Sequence, residues 1–138
     1  MENPKLVAAV KEANSKGEKG KMSNDQWMAL SEDDPAILSL NKNEAGELLA
    51  LSEKSKALEK LNVRDAKGYL VVFSSNNSKP LVYNAADRPG FVNGQKGLWS
   101  ASEIKPDPTT RKMAIQIAAP IMDSGKVIGV IHSSVTAE

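Results

Sequence analysis

The sequence predicts an α+β fold, with helices first and an antiparallel sheet after them. Residues 1–61 place apolar side chains at helical spacing behind capping residues. Beyond residue 61 the pattern turns into short apolar runs punctuated by turn residues. The chain closes on RKMAIQIAAPIMDSGKVIGVIHSSV, residues 111–135, where two apolar runs flank Pro120 and the turn MDSGK. With 138 residues, 41% hydrophobic and 25% charged, the chain is one domain's worth and buries a core without staples.

The elements follow in order. Pro4 opens the first helix, with Leu6, Val7 and Val10 on one face. SKGEKGKMS breaks it. Ser23 caps a short helix, NDQWMAL, and Asp25 suits its first turn. Asp34-Pro35 repeats the cap-then-proline signal before AILSL. Asn43 caps EAGELLALSEKSKALEKL, whose leucines 48, 49, 51, 58 and 61 extend the helix to residue 61. LNVRDAKGYLVVFSS then reads as strand, turn and strand, with DAKG as the turn. PLVYNAADRPGFVNGQKG reads as a short strand and a loop, LWSASEI is ambiguous, and PDPTT is a breaker before the last hairpin. Residues 1–61 are thus mainly helical and 62–138 carry a sheet of about five strands.

Composition removes several function classes. A net charge of +1, with basic residues not interleaved among aromatics, speaks against nucleic acid as a partner. No cysteine is present, which excludes disulfides, thiolate zinc sites and C-x-x-C-H haem attachment. His132 is the only histidine, so neither a catalytic triad nor a common metal site has its imidazoles, and it reads as structural or partly exposed. The acidic run at 32–34 precedes a helix and reads as a cap. P-loop, dinucleotide and G-x-S-x-G motifs are missing, so neither an enzyme nor a bound cofactor is expected. No apolar run is long enough for a membrane span. The chain opens directly on a helical pattern, which fits the soluble part of a longer protein.

Two features leave a binding site and a plain core both open. Phe73, Tyr83, Phe91 and Trp99 fall in the middle segment, where aromatics either line a ligand pocket or seal the core. Trp27 reads as core. In the first arm of the hairpin, Met113, Ile115, Ile117 and Ala119 share one face, and Lys112, Ala114, Gln116 and Ala118 the other. Small residues around one amide form either the floor of a small-molecule cavity or a sheet face under a closely approaching helix or loop. Pro120 fits a strand edge or bulge, and Gly129 a close backbone approach.

The run A-P-I-M-D-S-G-K-V-I-G-V-I resembles the closing hairpin of Cache (PDC) sensor domains, the PAS-like extracellular class of bacterial and archaeal receptors. V-R-D-A-K-G-Y-L-V is similar to that family's first hairpin, and G-Q-K-G-L-W-S-A to its tryptophan segment, with Trp99 on the tryptophan. Asp107 with Thr109 and Thr110 resembles the D-x-S/T before the long strand, and N-P-K-L-V-A-A-V-K-E-A-N the N-terminal helix. The resemblance spans nearly the whole chain.

It implies a PAS-like five-stranded antiparallel sheet with a long N-terminal helix and additional short helices. A small ligand would sit between the sheet and a pocket loop at 76–94. The implied ligand-binding set is Phe73, Tyr83, Arg88, Phe91, Trp99, Asp107, Ala114, Gln116 and Ala118. Gln116 stands where dicarboxylate- and citrate-binding members carry a basic residue, with Arg111, Lys112 and Arg88 as other sources of charge. Asp107 or Asp123 would offer the acid that amino-acid-binding members use. The domain would be periplasmic or extracellular, membrane-tethered in a histidine kinase or chemoreceptor, and able to dimerise through its N-terminal helix. The competing expectation is a dimerisation or scaffold domain that binds no ligand.

Overall fold

The computed structural model describes residues 3–56, 58–77, 79–107 and 111–136. Four helices come first: α1 (Pro4–Lys16), α2 (Asn24–Ala29), α3 (Pro35–Asn41) and α4 (Glu44–Lys56). Each begins where its caps dictate. Asn3 accepts hydrogen bonds from the backbone amides of Lys5 and Leu6, with Pro4 in the first turn of α1. Ser23 and Gln26 form a reciprocal capping box on α2. Asp34 caps α3 through the Ala36 amide, and Asn43 accepts from Gly46 at 2.8 Å. The helix expected to be long, α1, has 13 residues, the same as α4.

The strands are β1 (Leu58–Asp65), β2 (Leu70–Phe73), β3 (Ser100–Ala101), β4 (Lys105–Pro106), β5 (Met113–Asp123) and β6 (Lys126–Thr136). Every pair is antiparallel, in the order β2-β1-β6-β5-β3, with β4 also on β5. The expected closing hairpin is β5–β6. Its two-residue turn has Ser124 at φ 53° and Gly125 at φ 80°, the primed geometry that matches strand twist. Pro120 pairs with Val130 and lies past the short β3, so its missing N–H falls on an open edge. A bulge follows between Ile121 and Met122.

Two expectations need correction. The helix assigned through residue 61 stops at Lys56, and Leu58 and Leu61 belong to β1. Leu61 serves the core from the sheet, packed with Leu49 of α4, and the Glu53 carboxylate accepts from the Leu61 amide at 3.0 Å. Leucine spacing alone does not distinguish these two ways of burying Leu61. The loop expected at 80–97 contains a further helix, α5 (Pro89–Gln95), again with proline at its start.

The sheet separates two layers. On one face Leu6 and Val10 of α1 and Leu49 of α4 pack with Leu61, Val63, Val72, Ala119, Ile121 and Ile131. Alternation along β5 places Ala119 and Ile121 here as expected, but Met113 at the other end is 41% exposed. Gly129 lets α1 and β1 approach: a Cβ there would lie 2.3 Å from the Arg64 carbonyl oxygen and 3.0 Å from Val10. On the other face Trp27 and Ile37 pack with Leu70, Phe73 and Tyr83. The Trp27 indole is fully buried, as expected for a core residue, and donates to the Pro80 carbonyl at 2.8 Å. Burying each such side chain stabilises the fold by about 1.5–3 kcal/mol.

Candidate functional site

The candidate site lies on the face of the sheet opposite α1 and α4. Register builds it. Ala114, Gln116 and Ala118 of β5 stand opposite Thr136, Ser134 and His132 of β6, and Asn62 of β1 stands opposite His132. Arg64, two residues on, pairs with Val130. A sheet face that would otherwise be apolar therefore carries Lys60, Asn62, Arg64, Gln116, His132, Ser134 and Thr136.

Asp107 crowns one end of this strip. Its side chain is fully buried and its Oδ2 accepts from Lys60 Nζ at 2.7 Å, Gln116 Nε2 at 2.7 Å and Ser134 Oγ at 2.8 Å. Burial of a carboxylate demands such donors, since an unpaired charge in this setting would be very costly. Lys60 reaches Asp107 from a break in the β1–β6 register between Glu59 and Asn62, with φ at 55°. That left-handed backbone is rare for a side chain of this kind.

Arg64 anchors the other end. It is 3% exposed and bridges sheet and loop, donating to the carbonyls of Tyr83 at 2.7 Å, Val82 at 3.0 Å and Gly68 at 3.3 Å. Burial and the neighbouring Arg88 charge lower its pKa to about 10, against the opposing pull of Asp65 and Tyr83. His132 lies between the two ends. Burial first, then Arg64 and Lys60, lower its pKa to about 4, so it is neutral at pH 7. Three buried polar atoms of the strip, Asn62 Oδ1, Arg64 Nε and Thr136 Oγ1, have no hydrogen-bond partner among the described residues.

α5 covers the middle. Phe91 packs on Ala118 and Val130. A Cβ on Gly90 would lie 3.0 Å from Ala118 Cβ and 3.4 Å from His132 Nε2, so the helix rests directly on the sheet. At Ala118 the alanine face thus lies under a closely approaching helix. Two surface recesses lie elsewhere. One, of about 540 Å3, is between α1 and the β5–β6 turn, lined in part by Val7, Lys11 and Met122. The other, of about 270 Å3, is lined in part by Asn14, Asp65 and Lys126.

The structure gathers part of the residue set drawn from the sequence. Asp107, Gln116 and Ala114 adjoin the strip, and Ala118 lies under Phe91. Phe73 and Tyr83 belong to the Trp27 core instead. The Trp27 and Tyr83 ring centroids are 5.1 Å apart, and burial and Asp65 raise the Tyr83 pKa. Arg88 is the exposed N-cap residue of α5. Trp99 is 72% exposed next to β3 and is not brought to the strip. Asp123 pairs with Lys11 at 3.2 Å at the far turn, and Arg111 is exposed. Thr109 and Thr110 lie outside the described residues. Sequence reasoning passed over Lys60, Asn62, Arg64, Ser134 and Thr136. A signal existed: polar residues at 60, 62 and 64 alternate with Leu61 and Val63, a two-faced strand pattern of which only Lys60 fell within the helical reading.

No family model and no curated relative matches this chain. Solved structures do. The sensor domain of the Vibrio cholerae histidine kinase DctB aligns with a TM-score of 0.57 and 17% identity, over 96% of this chain and 52% of that one. The sensory domain of the Campylobacter jejuni chemoreceptor Tlp3 aligns at 0.56 and 13%, over 95% and 56%. The ligand-binding domain of the Pseudomonas aeruginosa amino acid chemoreceptor PctC, in complex with GABA, aligns at 0.53 and 16%, over 97% and 56%. This chain thus spans little more than half the length of those structures. At these identities the likeness is one of fold.

Proposed function

We propose that this chain, whose PAS-like fold is shared with those sensor domains and whose hairpin motifs resemble the Cache type, is an extracytoplasmic sensing module that binds a small molecule between this sheet face and the loop carrying α5. The observation that supports it best is the buried polar strip. Core faces rarely hold a carboxylate, a guanidinium, an imidazole and two amides together, and three atoms of the strip lack partners among the described residues. Ligand sites are places where polar groups converge inside an apolar frame. Several proteins of this fold bind amino acids: Tlp3 with L-valine, Mlp24 with asparagine.

Transmission follows from the layers. A ligand that prefers α5 raised from the sheet shifts a two-state equilibrium. β6 carries that change to α1, since Val10 packs next to Gly129 and Asn14 donates to the Ile128 carbonyl at 2.8 Å. In a parent receptor α1 would pass the movement towards the membrane, and a dimer through α1 would couple two copies.

One observation favours the second reading, a scaffold that binds nothing: α5 is already seated on Ala118 and Val130. A thermal-shift screen of carboxylates, amino acids, amines, purines and sugars separates the two. At a hundredfold excess over Kd a ligand adds about 2.7 kcal/mol, roughly 9 °C for a chain of this size. A hit lost in Gln116→Leu supports the sensor. Silence across the panel, with amide protection under α5 unchanged by every compound, supports the scaffold.

A further inference from the structure

We propose that the β3–β4 edge of the sheet, carried by residues 96–113, is a contact surface for an anionic lipid layer. It is separate from the buried strip and does not depend on a ligand there. β3 and β4 both pair with the outer side of β5, so residues 98–106 run along an open edge of the sheet. All of them are exposed except Ser100 and Ser102, which are half-buried. The Ser102 amide donates inward, to the Gln116 carbonyl at 2.8 Å, so the N–H and C=O of Ala101, one residue back, face outward. Large apolar side chains follow this edge. Trp99 is 72% exposed, and Leu98 and Ile104 are each more than half exposed. Met113, opposite Pro106, extends the row at one end. Val92 of α5 extends it at the other, where the Leu98 amide donates to the Asn93 carbonyl at 3.0 Å. Contiguous apolar side chains left in water mark a surface that something covers.

Charge decides what covers it. Lys96, Lys105 and Arg111 stand exposed on the same stretch, and Glu103 is its one exposed acid. Asp107, the other acid of the stretch, is buried and held by Lys60 at 2.7 Å. Two copies docked edge to edge would set these cations against one another, and lysines along an edge strand guard against such pairing. An anionic layer neutralises them instead. Tryptophan suits the headgroup level, where its ring meets apolar chains and its N–H stays wet, and lysine stems lie along apolar surface while their ammonium groups reach the headgroups. The backbone stays at headgroup depth, because the outward N–H and C=O of the edge still need water. Only the side chains of Leu98, Trp99 and Ile104 enter the layer.

Vesicle sedimentation tests this with the full 138-residue chain, Trp99→Ala and the double variant Lys96→Glu/Lys105→Glu. The substituted side chains are exposed, and Tm checks that each variant folds. The vesicles are phosphatidylcholine alone and phosphatidylcholine mixed with an equal part of phosphatidylglycerol. The wild type is expected to bind the anionic vesicles tenfold or more tightly than the neutral ones, and to leave them in about 1 M salt, where the screening length is about 3 Å. Tryptophan emission should shift to shorter wavelength on binding. Trp99 reports this, since Trp27 is already fully buried. Trp99→Ala should abolish the shift and weaken binding about fivefold or more. Each cation near an anionic leaflet contributes roughly fivefold, so reversing two should weaken binding about 25-fold or more. No sedimentation with either vesicle overturns the proposal, as does equal binding to both or binding that both variants retain. An equal emission shift with soluble poly-L-glutamate overturns it in favour of an acidic protein partner. A concentration-dependent dimer in sedimentation velocity, lost in Trp99→Ala, overturns it in favour of a second copy.

Discussion

The lone histidine makes one pH prediction unusually clean. His132 has a pKa of about 4 in the folded chain against 6.5 for a free imidazole, because burial, Arg64 and Lys60 all disfavour its charged form. The folded state therefore binds fewer protons than the unfolded state between these two values. The stability from a neutral His132 is complete above pH 6.5, falls as the pH drops through 6.5 towards 4, and levels off below 4. A shift of this size corresponds to about 3 kcal/mol between pH 7 and pH 4. Unfolding entropy of about 2.1 cal/mol/K per residue converts that to a drop of roughly 10 °C in Tm. Carboxylates add their own loss below pH 5, so the assay is a comparison. Calorimetric Tm is followed from pH 7.5 to 4 in wild type and in His132→Gln, which keeps a polar side chain but does not titrate. The wild type should lose about 10 °C more than the variant over this range. Parallel curves, or an imidazole NMR titration centred at or above pH 6, would refute the account of His132 as a desolvated group beside two cations.

Other substitutions probe the same architecture. Asp107→Ala leaves the Lys60 ammonium and the Gln116 and Ser134 donors without their shared acceptor, and should cost about 3–5 kcal/mol, with half or more recovered when Lys60→Met is added; urea unfolding of the cycle checks this. Gly129→Ala places a methyl 2.3 Å from the Arg64 carbonyl oxygen, a backbone atom with no rotamer to move. A loss of at least about 3 kcal/mol is expected, read as Tm, and a near-neutral result would mean that β1 and β6 lie further apart. Trp27→Ala should lose about 3–5 kcal/mol by opening the Ile37–Phe73–Tyr83 cluster, and near-ultraviolet circular dichroism would report the loss of the Trp27–Tyr83 contact.

Local chemistry was enough for much of the fold. Pro4, Ser23, Asp34 and Asn43 announce four helix starts, and the closing hairpin needs only alternation and a Ser-Gly turn. These signals act within a few residues, so the order of elements is readable before any packing is known. The limit of α4 was not readable, because Leu58 and Leu61 keep helical spacing, and a strand brings both to the same core only through the register break between Glu59 and Asn62, so helix and strand compete for these residues. Pairing with β6 decided between them. α5 was hidden for a similar reason: seven residues rich in glycine and proline have little intrinsic helicity, and Phe91 becomes a helix residue by seating on Ala118 and Val130.

The site divides along the same line. Gln116 was visible because one amide stands out among alanines, and Asp107 only because it resembles the family's D-x-S/T. Their partners were not. Lys60, Arg64 and Ser134 are ordinary polar residues until β1, β5 and β6 come side by side and α5 closes over them. Sequence by itself determined the fold class, the starts of the first four helices and the closing hairpin. The tertiary structure alone decided which charges are buried together, because desolvation and pairing depend on neighbours tens of residues away.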